Sequence, residues 1–301
     1  MRTVYLGTSD FAATVLRRLA GSRHRPQLAV TPPDRPRGRG RRSGSPPVAE
    51  VAGELGIDLL QVENVNDEAA LERIRAAKPE AAAVCAFGQL IREPLLSELP
   101  LLNVHPSLLP RWRGAAPIER AIMAGDERTG VSLMGVDAGL DSGPVALREE
   151  LPIGPEDDFS TLSERLAALG GELLVQALDR QEEGRLELVE QENEEATYAE
   201  KIDSAERRLD PARPATELAR TVRALTPHVG AYLEVGGGDR LGVRRARAVD
   251  VSVKTGEVRA EWGALLLGCG RGALRLEVVQ PAGGRPMAAD AYLRGHPVPA
   301  L

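Results

Sequence analysis

One stretch gathers more reactive side chains than any other: Asn103-Val104-His105-Pro106-Ser107-Leu108-Leu109-Pro110-Arg111-Trp112-Arg113-Gly114-Ala115-Ala116-Pro117. Leu101-Leu102-Asn103-Val104 reads as a strand, and residues two apart on a strand point to the same side. Asn103 and His105 then stand together, an amide that can donate to a developing oxyanion and an imidazole that can move a proton. Pro106, Pro110 and Pro117 restrict what would otherwise be a mobile loop. A second cluster, Gly139-Leu140-Asp141-Ser142-Gly143, presents a carboxylate between glycines that let the backbone turn sharply. Asp141 can orient His105 as triad aspartates orient theirs. Taken singly, each cluster also fits a plainer reading, a proline-rich loop with a structural histidine or an ordinary aspartate turn.

Other chemistries find no residues. No Ser or Cys sits in a G-x-S-x-G elbow. Gly7-Thr8-Ser9-Asp10 is not G-x-G-x-x-G, and no P-loop run occurs, so neither a dinucleotide nor a P-loop nucleotide is indicated. His24, His105, His228 and His296 are scattered without metal spacing, so no metal is expected. Direct transfer assisted by Asn, His and Asp remains.

The elements that must position these groups follow from hydrophobic periodicity. Val4-Tyr5-Leu6 reads as a strand, and Phe11, Val15, Leu16 and Leu19 as one helix face after an N-cap at Ser9 or Asp10. Leu28-Ala29-Val30 is a second strand, residues 32–47 a long Pro/Gly/Arg/Ser loop, and 48–55 a helix. A short strand near Leu59-Leu60 precedes a helix over 67–77. The apolar run 81–86 has the pattern of a strand buried on both faces. A helix at 118–124, a strand at 131–136 and a long helix at 162–181 complete an α/β domain with a mostly parallel, Rossmann-like sheet, assigned to residues 1–190. Residues 191–207 read as a polar, acidic linker. Over 208–301, a helix at 215–225 precedes short strands and glycine turns, the signature of a small OB-like β-barrel.

The chain has 301 residues, enough for two cores, and its 43% hydrophobic and 27% charged content excludes disorder throughout. With aromatics at 3%, the cores must be built from Leu, Val, Ala and Ile. A net charge of -6 argues against coating nucleic acid over the whole surface while leaving room for a local basic site. No apolar run is long enough for a membrane span and the N-terminus lacks signal-peptide features, so a cytoplasmic location is expected. Cys85 and Cys269 read as small buried hydrophobes. A monomer is expected.

The run N-V-H-P-S-L-L-P-R-W-R-G-A-A-P-I followed by G-L-D-S-G resembles the folate-dependent formyltransferase family. Supporting stretches span the chain: G-T-S-D-F-A at 7–12, P-D-R-P-R-G-R-G at 33–40, T-Y-A-E-K-I at 197–202, Q-P-A-G at 280–283 and P-M-A-A-D-A-Y-L-R-G at 286–295. The tail stretches are those of members that act on initiator methionyl-tRNA. The resemblance implies 10-formyltetrahydrofolate as formyl donor and Asn103, His105 and Asp141 as catalytic residues. It also implies folate contacts from Ser107, Leu108, Leu109 and Pro110, and a pterin pocket lined by main chain around Phe87, Gly88, Gln89 and Leu90. The 32–47 loop corresponds to the family's tRNA-contacting insertion, and the C-terminal barrel to its tRNA-binding domain. Two departures stand out: Thr226-Pro227-His228-Val229 replaces an aromatic-rich N-P-W-P, and Ser142 stands where threonine is commoner. An amino-sugar or glycinamide-ribotide acceptor would keep the chemistry and change the substrate. A catalytically silent RNA-binding protein would keep only the fold.

Arg35, Arg37, Arg39, Arg41 and Arg42 fall within eight residues, interleaved with Pro36, Gly38 and Gly40. In an otherwise acidic protein this is the expected landing site for a phosphate backbone. Replacing Arg39, Arg41 and Arg42 with Ala should weaken methionyl-tRNA binding and lower the slope of log affinity against log salt by roughly 0.7–0.9 for each phosphate no longer neutralised. An unchanged affinity and slope would remove the loop from RNA recognition.

Overall fold

The computed structural model of the chain describes residues 1–37, 42–261 and 263–301, without the side chains of 36, 37, 42 and 43. Arg39 and Arg41, and the side chains of Arg37 and Arg42, therefore lie outside the described residues. The chain forms two units: Met1–Gly114 with Thr129–Pro152 and Ser163–Tyr198, and Ala115–Arg128 with Ile153–Leu162 and Ala199–Leu301.

The first unit is built on strands β1 (Thr3–Gly7), β2 (Pro26–Thr31), β3 (Asp58–Gln61), β4 (Ala81–Cys85), β5 (Leu101–His105), β6 (Arg128–Gly135) and β7 (Val145–Pro152). They form one sheet in the order β7-β6-β5-β4-β1-β2-β3. β1 to β5 pair in parallel, and β6 runs antiparallel to β5. Every residue of β1 and β4 is buried, as their unbroken apolar runs require. Helices α1 (Asp10–Ala20), α2 (Pro47–Leu55) and α3 (Glu68–Ala76) make the crossovers, and Ser9 is the N-cap of α1. Strand order reverses between β1 and β4, the place where open α/β sheets bind ligands beyond their carboxyl ends. There the Thr8 hydroxyl donates to the Phe87 carbonyl at 2.8 Å, tying the loop after β1 to the loop after β4.

Besides several elements of two to five residues, an edge strand and a hairpin of the first unit depart from the sequence reading. β7 is absent from the sequence reading because V-A-L-R-E-E-L-P alternates poorly; it is an edge strand with Glu149 and Glu150 exposed. Within the expected 32–47 loop, Arg35–Arg37 pairs antiparallel with Arg42–Gly44. Strands of three residues are too short to show a period.

In the second unit, helix α4 (Pro117–Ala124) and helix α6 (Ala215–Leu225) accompany an antiparallel sheet; the long helix α5 (Phe159–Glu182) lies between them in sequence. β8 (Ala231–Val235), β9 (Asp239–Val249), β10 (Val258–Glu261), β11 (Ala264–Gly268) and β12 (Ala273–Gln280) run in the order β8-β9-β12-β11-β10. A register shift between Val243 and Ala246 interrupts the β9–β12 ladder, as a bulge that bends a strand does. The core is aliphatic, with Leu218, Val222 and Leu225 of α6 packed among Leu241, Leu265 and Leu274. Met123 of α4 packs on the same core, which is why this helix belongs to the second unit although its sequence lies far from it. The fold class is the expected one, a mostly parallel α/β sheet followed by a small antiparallel β domain.

Both cysteines are buried, one in each unit. Burial pushes the Cys85 thiol up to about 12 and raises that of Cys269. Among the described residues no helix is long and apolar enough to cross a membrane.

His228, the residue that breaks the aromatic pattern, still supplies a ring. It stacks on Phe159 at 3.7 Å between centroids, and its Nε2 lies 2.9 Å from Glu119 Oε1. His228→Ala should lower the stability of this unit by roughly 0.5–1.5 kcal/mol through the lost stack, and His228→Phe should recover most of it. Urea denaturation of the three proteins checks this; an unchanged midpoint for His228→Ala would show that the stack contributes nothing.

Candidate active site

Asn103 and His105 project from β5, whose register sets Asn103 opposite Met134 and His105 opposite Ser132 of β6. The 107–109 segment beyond them is pinned through Ser132, a fully buried hydroxyl. Ser132 Oγ donates to the Ser107 carbonyl at 2.7 Å and accepts from Leu109 N–H at 3.0 Å. Arg148 of β7 adds a hydrogen bond to the Leu109 carbonyl at 2.6 Å. The chain then turns at Trp112 (φ 62) so that its carbonyl meets His105 Nε2 at 2.8 Å. A carbonyl only accepts, so Nε2 carries a proton and Nδ1 is the ring nitrogen left for a ligand.

The loop after β6 folds back over the same strand. Asp141 Oδ2 accepts the Gly114 N–H at 2.8 Å and stands 3.6 Å from His105 Nδ1, while Oδ1 is 3.4 Å from Asn103 Nδ2. The His105–Asp141 separation is outside hydrogen-bond range and inside ion-pair range. His105 is 4% exposed, so the pair works where water is scarce and charges interact strongly. The three residues singled out as catalytic are thus brought together: an amide donor and an imidazole nitrogen converge on one carboxylate.

The residues expected to hold the folate divide by what their side chains already do. Ser107 Oγ donates to the Arg111 carbonyl, and Leu109 is fully buried, so neither side chain is presented to a ligand. Leu108 and Pro110 are half-buried. In the loop after β4, Phe87 is buried and Gln89 is engaged on both sides, accepting from Val65 N–H at 2.8 Å and donating to the Val62 carbonyl at 2.9 Å. Gly88 has φ +75, and Leu90 projects 60% exposed. Arg35 pairs with Glu63 at 3.0 Å.

Sequence reasoning missed Ser132, Arg113 and Gln191. Arg113 is one of two arginines in P-R-W-R-G-A-A-P, and nothing in the sequence marks it as the buried one; it is 3% exposed. Gln191 carried no signal either, sitting in a polar stretch that reads as linker; Gln191, Asn193 and Thr197 instead bond Arg113 and Trp112.

Residues 1–178 match the family described as formyl transferase, and residues 201–297 match the formyl transferase C-terminal domain. The chain belongs to the formyl transferase family. It is 43% identical to the methionyl-tRNA formyltransferase of Methylobacillus flagellatus across 99% of this chain and 97% of that protein. It is likewise 43% identical to the methionyl-tRNA formyltransferase of Halorhodospira halophila, covering 98% and 96%. Among solved structures it is similar to HypX from Aquifex aeolicus in complex with tetrahydrofolic acid, with TM-score 0.67 at 19% identity, covering 97% of this chain and 47% of HypX. The chain thus spans about half the length of HypX. It is also similar to an N-formyltransferase from Helicobacter canadensis in complex with folinic acid and dTDP-3-aminofucose, with TM-score 0.68 at 14% identity, covering 91% and 98%. At these identities the structures show a shared fold.

Ser132→Ala should cost about 1–3 kcal/mol, because it leaves a buried carbonyl and a buried N–H unpaired. Equilibrium urea unfolding reads this directly; a loss below half that range would mean that the 107–109 segment does not depend on the hydroxyl.

Proposed function

We propose that this protein transfers the formyl group of 10-formyltetrahydrofolate to the α-amine of methionyl initiator tRNA. The observation that carries the chemistry is the convergence of Asn103 and His105 on the Asp141 carboxylate. The identity to two methionyl-tRNA formyltransferases over nearly the whole chain supports the choice of acceptor.

The amine attacks the formyl carbon, a C–N bond forms, and the formyl oxygen takes up negative charge. Asn103 Nδ2 and, in the doubly protonated ring, His105 Nδ1, on one side of β5, donate to that oxygen; losing one such donor typically costs about 10²–10³ in turnover. Asp141 holds His105 and accepts the proton that the attacking nitrogen sheds, which then passes to the folate nitrogen as its bond to the formyl carbon breaks. No covalent enzyme intermediate is needed. The 107–110 segment and main chain around 87–90 form the folate side, and the Arg35–Arg42 segment meets the RNA.

The second unit supports an anionic acceptor. A cavity of about 280 Å³ is lined by Arg220, Arg223, Arg244, Arg245 and Arg247, which outnumber the acidic Glu156, Asp158 and Glu277 of the same lining. Arg245 and Arg247 pair with Glu277. Arg244 bonds only the neutral Gln280, and Arg220 Nε is buried without a hydrogen-bond partner among the described residues. Burial, with the like charge of Arg220 added, holds Arg223 below the usual arginine value. Phosphate oxygens would satisfy these guanidiniums.

Mass spectrometry of methionyl-tRNA, an amino sugar and glycinamide ribotide after incubation with the protein and 10-formyltetrahydrofolate tests the reading. Formylation of the aminoacyl-tRNA is expected; formylation of a small amine alone would replace the acceptor, and none at all would leave an RNA-binding protein. His105→Ala and Asp141→Ala should each lower kcat by about 10²–10³, and the double variant should fall little further, because the residues act as a unit. Additive losses would mean that Asp141 works independently of His105.

A further inference from the structure

The Asp141 loop has a support that this chemistry does not use. Asp141 lies at φ +48, a left-handed conformation that costs a non-glycine residue about 1–2 kcal/mol. Gln191 braces it, donating its amide hydrogens to the carbonyl oxygens of Asp141 at 2.9 Å and Gly143 at 2.7 Å. Gln191 Oε1 in turn accepts from Nε and Nη2 of Arg113 at 3.1 and 2.8 Å. The buried Arg113 guanidinium also donates to Asn193 Oδ1 at 2.9 Å. Both hydrogens and both lone pairs of the carboxamide are thereby used. Its orientation follows from its partners, since a flipped amide would set oxygen against two carbonyls and NH₂ against a guanidinium.

We propose that Gln191, itself held by Arg113, is a positioning residue that keeps the Asp141 carboxylate aimed at Asn103 and His105. The inference rests on the formyl-transfer reading above. The loop's own bonds, from Gly139 N–H at 3.0 Å and Ser142 Oγ at 3.1 and 3.0 Å, go to Asp137; the Asp141 carbonyl takes its bond from Gln191. Glutamine is the residue type the position needs. Glutamate would keep the Arg113 pair but would have no hydrogens for the two carbonyls, and would set a second carboxylate beside Asp141. Alanine would leave a buried guanidinium and two carbonyl oxygens short of partners.

The test is steady-state formyl transfer from 10-formyltetrahydrofolate to methionyl-tRNA across a pH series. It uses the full-length wild type, Asp141→Ala, Gln191→Ala and Gln191→Glu, with denaturation midpoints for each. Both Gln191 variants should lose about 10–100-fold in kcat, since a displacement near 1 Å at a reacting group has that effect. KM for both substrates should stay near wild type. In Gln191→Glu the acid limb of the kcat–pH profile should also move to higher pH, because an added carboxylate opposes loss of a proton from the site. Should Gln191→Ala fail to fold, Gln191→Glu, which keeps the Arg113 pair, carries the same readout. If Asp141→Ala is inactive while the Gln191 variants keep kcat within about twofold and superimposable pH profiles, the brace is wrong and the site reading stands. Losses that track the denaturation midpoint with an unmoved profile would also overturn it, leaving Gln191 a purely structural role. A wild type that formylates nothing would bring down the reaction, and the brace with it.

Discussion

The carboxylate of Asp141 has to be held against a strand to which it does not belong, and the backbone N–H of Gly114 holds it there. The oxygen that accepts this bond also faces His105, and the other faces Asn103. Two residues earlier the carbonyl of Trp112 takes the far side of the same imidazole. The short segment 112–114 therefore works as a template that fixes one end of the histidine and the whole of the aspartate. The backbone around this contact is unusual: Trp112 has φ 62 and Gly114 φ 117 on one side, and Asp141 φ 48 on the other. Non-glycine residues in this region cost roughly 1–3 kcal/mol each, which the surrounding hydrogen bonds have to offset. Strain gathered around a reactive carboxylate is what a preorganised site looks like before substrate arrives.

The second unit solves a different problem, that of gathering five arginines around one cavity with only Glu156, Asp158 and Glu277 as acidic lining. Space does part of the work. A side chain at Gly125 would collide with the Arg220 guanidinium, and one at Gly230 with that of Arg244. Both glycines have positive φ, 80° and 76°, so a side chain there would be strained as well. The arginines are parked against bare backbone, and their charge stays available to solvent or ligand.

Much of this was legible in the chain. Unbroken apolar runs marked β1 and β4, the 3.6-residue period marked α6 at its observed bounds, and the Asn-x-His spacing put two donors on one face of β5. Other features left no local trace. β7 sits at a solvent-facing edge, where charges replace alternation. The bonds that shape the site join residues far apart in sequence, Gln191 to Asp141 across 50 positions and Trp112 to Thr197 across 85. Glutamine in a polar stretch looks like any solvated linker until the fold brings its partners to it. Arg113 gave little more, because with Arg111 two positions away the sequence does not say which guanidinium is buried and must find acceptors.

The two buried cysteines have a practical consequence. Neither thiol is accessible or readily ionised in the folded protein, and each unit contains one, Cys85 at the end of the central strand β4 and Cys269 just after β11. A thiol reagent added to the native protein can modify either site only when its unit opens. The chain thus carries a built-in pair of reporters, and the labelling rate at each cysteine, resolved by peptide mass, measures the opening of one unit separately from the other.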